Sequence, residues 1–238
     1  MSKIVLSKRL KTIADMVSKG HRVCDIGCDH AHVVIYLVGQ GVAPNAIAMD
    51  IHNKPLERAR EHINTYGLAD KIETRLSDGF KALKMGEVET VIMAGMGGRL
   101  IQAILTDAKV KATSLKELIL GPQSEVAAFR RFLRLNGFRI EYEDLVYEDD
   151  KFYPIMRVVP GPADMNETEA TIIADCYGYV PLKERNPVLL AYLKREFKVT
   201  SEIINQISNS SYLNRKSELK LNEMRKKAAE LNDLIGMW

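Results

Sequence analysis

Cysteine is scarce in this 238-residue chain: Cys24, Cys28 and Cys176 form no CxxC pair, so neither a disulfide framework nor a familiar zinc spacing can be written. A reducing, cytoplasmic setting and no bound metal are the expectation. Long apolar runs are missing as well. A stretch such as Val33 to Val38 falls far short of the roughly 20 residues that span a bilayer. Met1 to Lys11 carries four basic residues with no apolar segment behind it, so no membrane or export segment is expected. Charge of one sign is also lacking, since 34 Lys+Arg against 31 Asp+Glu leave only +3. That total by itself points to no partner. With 46% hydrophobic and 27% charged residues the chain is no disordered polymer, and its length suits one large domain or a domain with an appendage.

What is present alternates. Leu10, Ile13, Ala14 and Val17 mark an amphipathic helix over Leu6 to Val17. Strand-like runs then follow at Arg22–Ile26, Ala46–Asp50, Lys71–Leu76, Thr90–Ala94 and Glu117–Leu120. Helix-length segments separate them at Ala31–Val38, Pro55–Tyr66 and Arg99–Leu105, and Glu125–Leu135 follows the last. Such alternation predicts βαβ crossovers and a mostly parallel α/β sheet. Phe138–Val146 and Phe152–Val159, joined by a short acidic turn, predict an antiparallel hairpin at its end. A Rossmann-like sheet finished this way is similar to that of class I S-adenosylmethionine-dependent methyltransferases.

Pro160-Gly161-Pro162 is the expected domain boundary, giving a ligand-binding domain over 1–160 and an all-α domain over 163–238. In the second domain Asn166–Tyr177, Pro187–Ser208 and Tyr212–Ile235 read as helices. The last two would fold back as an antiparallel, coiled-coil-like hairpin through the link at 208–211.

The first strand runs into Asp25-Ile26-Gly27-Cys28-Asp29-His30-Ala31-His32. Gly27 lets a ligand approach the backbone, but a dinucleotide loop needs G-x-G-x-x-G, and here the second glycine position is Asp29. A carboxylate there repels a pyrophosphate and tolerates the sulfonium and ammonium of S-adenosylmethionine. Asp29 also fits a helix cap. Asp50 ends the second strand, where its two oxygens match a ribose diol. Asp78 follows the third, placed to accept from an adenine amino group while a neighbouring apolar residue packs on the ring. Each acid also suits an ordinary turn; together they sit at three successive strand ends, where open α/β sheets bind ligands. After the fourth strand, Ala94-Gly95-Met96-Gly97-Gly98 makes a bare backbone loop for a flat substrate, or a tight turn into the next helix. Cys24, Cys28, His30 and His32 carry metal-ligating side chains, yet Cys24 belongs to a buried strand, and His30 reads as an orienting or structural histidine.

LSKRL, DIGCDHAH, LSDGF, VIMAGMGGRLI and GPQSE, followed by a helical tail, together resemble the bacterial tRNA adenine-22 N1-methyltransferases, the TrmK family, over essentially the whole chain. The resemblance implies methyl transfer from S-adenosyl-L-methionine to N1 of a tRNA adenine. It implies cofactor contacts at Asp25, Gly27, Cys28, Asp50, Ile51, Asp78, Gly79, Ala94, Gly95 and Met96. Asp29, with His30 and His32, becomes the catalytic set, and Gly97 and Gly98 lie against the substrate. The chain departs from the family in carrying Cys28 and His32 where Ser and Tyr are expected, and Val33-Val34-Ile35 where a proline is expected. If the aromatic side chain there stacks on the target base, His32 takes that role.

Charge then resolves into blocks: residues 1–139 hold 21 basic and 14 acidic side chains, residues 140–182 hold 2 and 10, and residues 183–238 hold 11 and 7. Arg9, Lys11, Arg130 and Arg134 are candidate phosphate contacts, with Lys194, Arg195, Lys198 and Arg225-Lys226-Lys227 on the tail. The helical hairpin suits a grip on tRNA, and equally a weak homodimer or another protein. The same cofactor acting on another RNA position or a small molecule, and a non-catalytic RNA- or protein-binding module, are the alternative readings.

Overall fold

The computed structural model describes residues 4–162, 168–209 and 214–238. Helix α1 (Lys8–Asp15) precedes strand β1 (Val23–Ile26), a 3₁₀ turn at Asp29–Ala31 and α2 (His32–Gly39). Then come β2 (Ala46–Asp50), α3 (Asn53–Thr65), β3 (Ile72–Leu76), β4 (Thr90–Met96), α4 (Gly98–Asp107) and α5 (Lys109–Ser114). Strand β5 (Glu117–Pro122), α6 (Val126–Leu135) and the hairpin β6 (Phe138–Glu148) and β7 (Lys151–Pro160) complete the sheet. Beyond it lie α7 (Glu169–Tyr177), α8 (Tyr179–Lys183), α9 (Pro187–Ser208) and α10 (Arg215–Gly236).

Seven strands form one sheet in the order β3-β2-β1-β4-β5-β7-β6. The first five run parallel and β7 pairs antiparallel with both β5 and β6, as the sequence pattern predicts. Strand β1 is buried along its whole length, the mark of a central strand covered on both faces. One face packs Val34, Leu37, Leu56 and Ile92 beneath α1, α2 and α3. The other packs Met93, Ile101, Leu105, Phe129 and Phe138 beneath α4 and α6. The hairpin turns on Asp149 and Asp150, both with positive φ, the backbone of a two-residue turn that matches strand twist. Helix α5 and the short α8 have no forecast counterpart, each being too short for a helical period to register.

The chain divides into two compact units, Met1–Val180 and Pro181–Trp238. The Pro-Gly-Pro punctuation falls inside the first unit, which also takes in α7. Arg130 of α6 ties α7 there, its Nη1 donating to the carbonyl oxygens of Asp175 (2.8 Å) and Cys176 (3.0 Å). In the second unit, α9 and α10 bury Leu189, Leu193, Leu221, Met224 and Leu231. Lys227 pairs with Glu196 at 2.8 Å, the one as far from the start of α10 as the other is from the end of α9, as an antiparallel pair requires. Asn166, and the link at 208–211 with the start of the last helix at Tyr212, fall wholly or partly outside the described residues.

Candidate active site

Strand order reverses between β1 and β4, and at such a switch point the helices on opposite faces leave a crevice at the strands' carboxyl ends. A cavity of about 360 Å³ opens there. Asp25, Gly27, Cys28, Asp29, His30 and His32 line it from β1 and the following loop; Ala94 and Gly95 line it from β4, Gln123 from the end of β5 and Arg9 from α1. Nine of the expected site residues therefore come together at one opening.

Local backbone explains the arrangement. Gly27 has φ +82°, so glycine is needed for the turn, and a Cβ there would meet only the movable end of the Met96 side chain, Cε at 2.8 Å. Its amide and that of Cys28 donate to the Met49 carbonyl at 2.8 and 3.0 Å, tying the loop to β2. His30 and Ala31 then adopt positive φ, 50° and 56°, unusual for residues with a Cβ and a sign of a loop held by its surroundings. On the other side the β4–β5 register shifts between Ala94 and Met96. This bulge leaves Gly95 unpaired while Met96 still pairs with Pro122 of β5.

The acids occupy distinct environments. Asp25 is buried, and burial, followed by the negative charge of Asp50, pushes its carboxyl up to about 7. Asp50 caps its own turn, its Oδ1 accepting from the His52 amide at 2.9 Å. Beside it Ile51 and Leu76 are 56% and 52% exposed, an apolar ledge that would otherwise be costly to leave in water. Asp29 stands at the mouth, paired with Arg58 of α3 at 2.7 Å and 3.6 Å from His30 Nε2. His32 is half-buried; desolvation, then the neighbouring His62 and His30, lower its pKa and keep its ring neutral. Cys28 is likewise held as the thiol by burial.

Arg9 is placed by the acidic hairpin: the Ser7 hydroxyl and the Arg9 amide donate to the two carboxylate oxygens of Glu148 at 3.0 and 3.2 Å. Its guanidinium lies 5.0 Å from the centre of the Tyr153 ring. Other expectations separate from the cavity. Lys11 pairs with Asp15 and lies over Tyr36. Asp78 pairs with Lys81 at 2.6 Å and, with Gly79, lines a different cavity of about 350 Å³ beside α4 and α5. The apolar neighbour Phe80 is largely buried in the core and lies along the same second cavity. Gly97 and Gly98 serve loop packing, since a Cβ on Gly98 would meet the Ser124 carbonyl oxygen at 2.5 Å.

Arg130 and Arg134 lie away from the cavity. Arg130 is buried against Glu143 at 2.6 Å, and Arg134 pairs with Asp175 at 2.9 Å. Both are engaged inside the first unit, Arg130 with β6 and α7 and Arg134 with α7. Sequence reasoning also missed Arg58 and His62. Their spacing of four places them on one face of α3, the face that meets the loop: His62 Nδ1 lies 3.2 Å from the His30 carbonyl oxygen.

A parallel sheet with a reversed hairpin strand and an acidic crevice at the switch point is a methyltransferase architecture, and residues 6–156 match the methyltransferase-domain family, to which the chain belongs. More narrowly it belongs with tRNA (adenine(22)-N(1))-methyltransferase of Bacillus subtilis (strain 168), being 32% identical over 236 residues, 99% of each chain. The crystal structure of B. subtilis TrmK, the m1A22 tRNA methyltransferase, superposes with a TM-score of 0.83 at 31% identity, covering 98% of this chain and 99% of that one. A Streptococcus pneumoniae relative solved in complex with S-adenosyl-L-methionine superposes at 0.84 with 29% identity, covering 97% and 100%.

Proposed function

We propose that this protein transfers a methyl group from S-adenosyl-L-methionine to N1 of adenine 22 in tRNA, giving 1-methyladenosine. The relatives that it matches over nearly their whole length support the substrate. The observation that carries the chemistry is the Asp29 carboxylate at the mouth of a cavity whose floor holds the buried Asp25. Asp25 and Gly27 suit the amino-acid end of the cofactor, while Asp50 accepts from its ribose and Ile51 and Leu76 offer apolar surface to its adenine. An enzyme of this substrate works in the cytoplasm.

The adenine N1 lone pair attacks the sulfonium methyl carbon; the N–C bond forms as the C–S bond breaks, and its electron pair returns to sulfur as a neutral thioether. N1 is largely unprotonated near neutral pH, so no strong base is required. Positive charge passes to the adenine ring. Asp29 accepts a hydrogen bond from the exocyclic amine and stabilises that charge as it develops, an interaction stronger in the transition state than before it. Neutral His32 offers a flat face to the extruded base, and Arg9 a cation to the phosphate beside it. Helix α9 carries Lys194, Arg195 and Lys198, and α10 carries Arg225 and Lys226, basic side chains suited to the body of the tRNA.

The test is direct: incubate the protein with unmodified tRNA and S-adenosylmethionine, digest, and look for 1-methyladenosine by mass spectrometry, using a transcript with guanine at position 22 as control. Methylation of that control at another adenine, or of small acceptors alone, would replace the proposed substrate.

A further inference from the structure

We propose that His30, His32 and His62 form a binding site for one divalent ion of the zinc class, placed between the β1 loop and α3 with its open coordination position toward the cavity. In the sequence, Cys24 belongs to a buried strand and the spacing of Cys24, Cys28, His30 and His32 matches no zinc pattern; the fold keeps Cys24 in the core and brings in His62 from 30 residues away.

Four observations support it. The three ring centres lie 5.4, 5.1 and 5.2 Å apart, and three imidazoles on one tetrahedral ion at about 2.0–2.1 Å have centres roughly 5.2 Å apart. One nitrogen from each ring lies within 4.8 Å of the other two, and side-chain rotation brings such atoms to the roughly 3.3 Å that a tetrahedral ion needs. His62 Nδ1 faces the His30 carbonyl oxygen, which leaves Nε2 as the free ligand atom, the usual outer hydrogen bond of a metal-binding histidine. His30 has Nε2 toward Asp29 and a buried Nδ1 without a hydrogen-bond partner, an unsatisfied lone pair that an ion would engage. The half-buried rings and the absence of thiolate suit a borderline ion such as Zn²⁺, Co²⁺ or Ni²⁺ over Mg²⁺ or Ca²⁺.

Filled, the site withdraws His32 from the face offered to the base and sets a positive charge beside Asp29. Metal therefore inhibits methyl transfer. This consequence rests on the function proposed above; the binding does not.

The experiment titrates the full-length protein, freed of metal by dialysis against chelator, with Co²⁺ and then Zn²⁺. One equivalent of Co²⁺ is expected to produce the visible absorption of a low-symmetry site, and Zn²⁺ to displace it. His62→Ala and His62→Asn, the second keeping an N–H toward the His30 carbonyl, are expected to bind at least about tenfold more weakly while His52→Ala binds as the parent does. Circular dichroism reports whether each variant is folded. Absence of the absorption, or equal affinity in folded His62 variants, overturns the site. Zn²⁺ is expected to inhibit the parent and spare His62→Asn in the methyl-transfer assay. Binding without inhibition overturns the consequence alone, and a chain that binds metal but never methylates tRNA overturns the proposed function and leaves the site standing.

Discussion

Arg58 Nη2 lies 2.7 Å from Asp29 Oδ1, reaching from α3 across to the loop after β1. The guanidinium fixes one oxygen of a carboxylate that is otherwise exposed, and in the proposed mechanism this sets where the acid meets the acceptor amine. On that mechanism Arg58 is a positioning residue. Arg58→Ala is expected to lower kcat by up to about 10²-fold, the scale of a small misplacement of a reacting group, with cofactor affinity unchanged. Arg58→Lys should recover part of the loss. Equal kcat in Arg58→Ala would show that the pair is only a surface contact.

Asp29→Ala removes the carboxylate itself. Turnover should fall by about 10²–10³-fold, as when one preorganised transition-state contact is lost, while S-adenosylmethionine binds nearly as before by calorimetry. A variant with parent activity would end the assignment of Asp29.

The fold and the crevice were largely readable in the chain because both are written in local pattern. Continuous apolar runs such as Ala46-Ile47-Ala48-Met49 mark buried parallel strands, and loop chemistry at Gly27, Asp29 and Gly95 marks their ends. What escaped lies in tertiary pairing. Arg58 and His62 sit on a helix whose exposed residues look like any solvated face, and their four-residue spacing gains meaning only once α3 is known to flank the loop. The engagement of Arg130 and Arg134 escaped for the opposite reason: α7 covers them, and nothing in α6 announces a cover more than 30 residues further along.

Asp25 makes stability depend on pH and, with the cofactor placed as proposed, its affinity as well. Its folded pKa is about 7, against about 3.9 in an unfolded chain. Between these values the unfolded chain has already lost a proton that the folded chain keeps, so ionisation at Asp25 costs stability progressively as pH rises from about 4 to about 7, and in full above that. Asp25→Asn should therefore gain in Tm relative to the parent as pH rises through this window, with a ceiling of about 4 kcal/mol. Cofactor binding runs the other way, because the ammonium favours the ionised acid. Affinity should weaken by up to about tenfold for each pH unit below 7, with proton release on binding visible in buffers of different ionisation enthalpy. A flat profile in both measurements would place Asp25 outside the site.

Gly98 tests the packing of the β4 loop. A Cβ there would meet the Ser124 carbonyl oxygen at 2.5 Å, a backbone atom with little freedom to move. Gly98→Ala should destabilise by about 1–3 kcal/mol, read as a lower Tm, whereas Gly86→Ala removes a glycine with open space around it and tests backbone strain alone.

The boundary after Val180 has a consequence for dissection. Arg130 and Glu143 are buried together at 2.6 Å, and burial raises the Glu143 pKa while Arg130 opposes it. Removing one partner of such a pair strands a charge, at about 3–5 kcal/mol. A chain ended at residue 162 keeps both partners but loses α7, whose carbonyl oxygens at Asp175 and Cys176 complete the arginine's bonding. A chain ended at Val180 keeps them. The shorter fragment should therefore melt well below the longer one, and only the longer should bind S-adenosylmethionine with the affinity of the whole protein. Arg130→Ala in the full chain should lower Tm strongly yet leave the salt dependence of tRNA binding unchanged, since this cation touches no phosphate, whereas Arg9→Ala should reduce that dependence. Equal melting of the two fragments, or a lost salt slope in Arg130→Ala, would return the boundary to Pro160–Pro162 and the arginine to the tRNA surface.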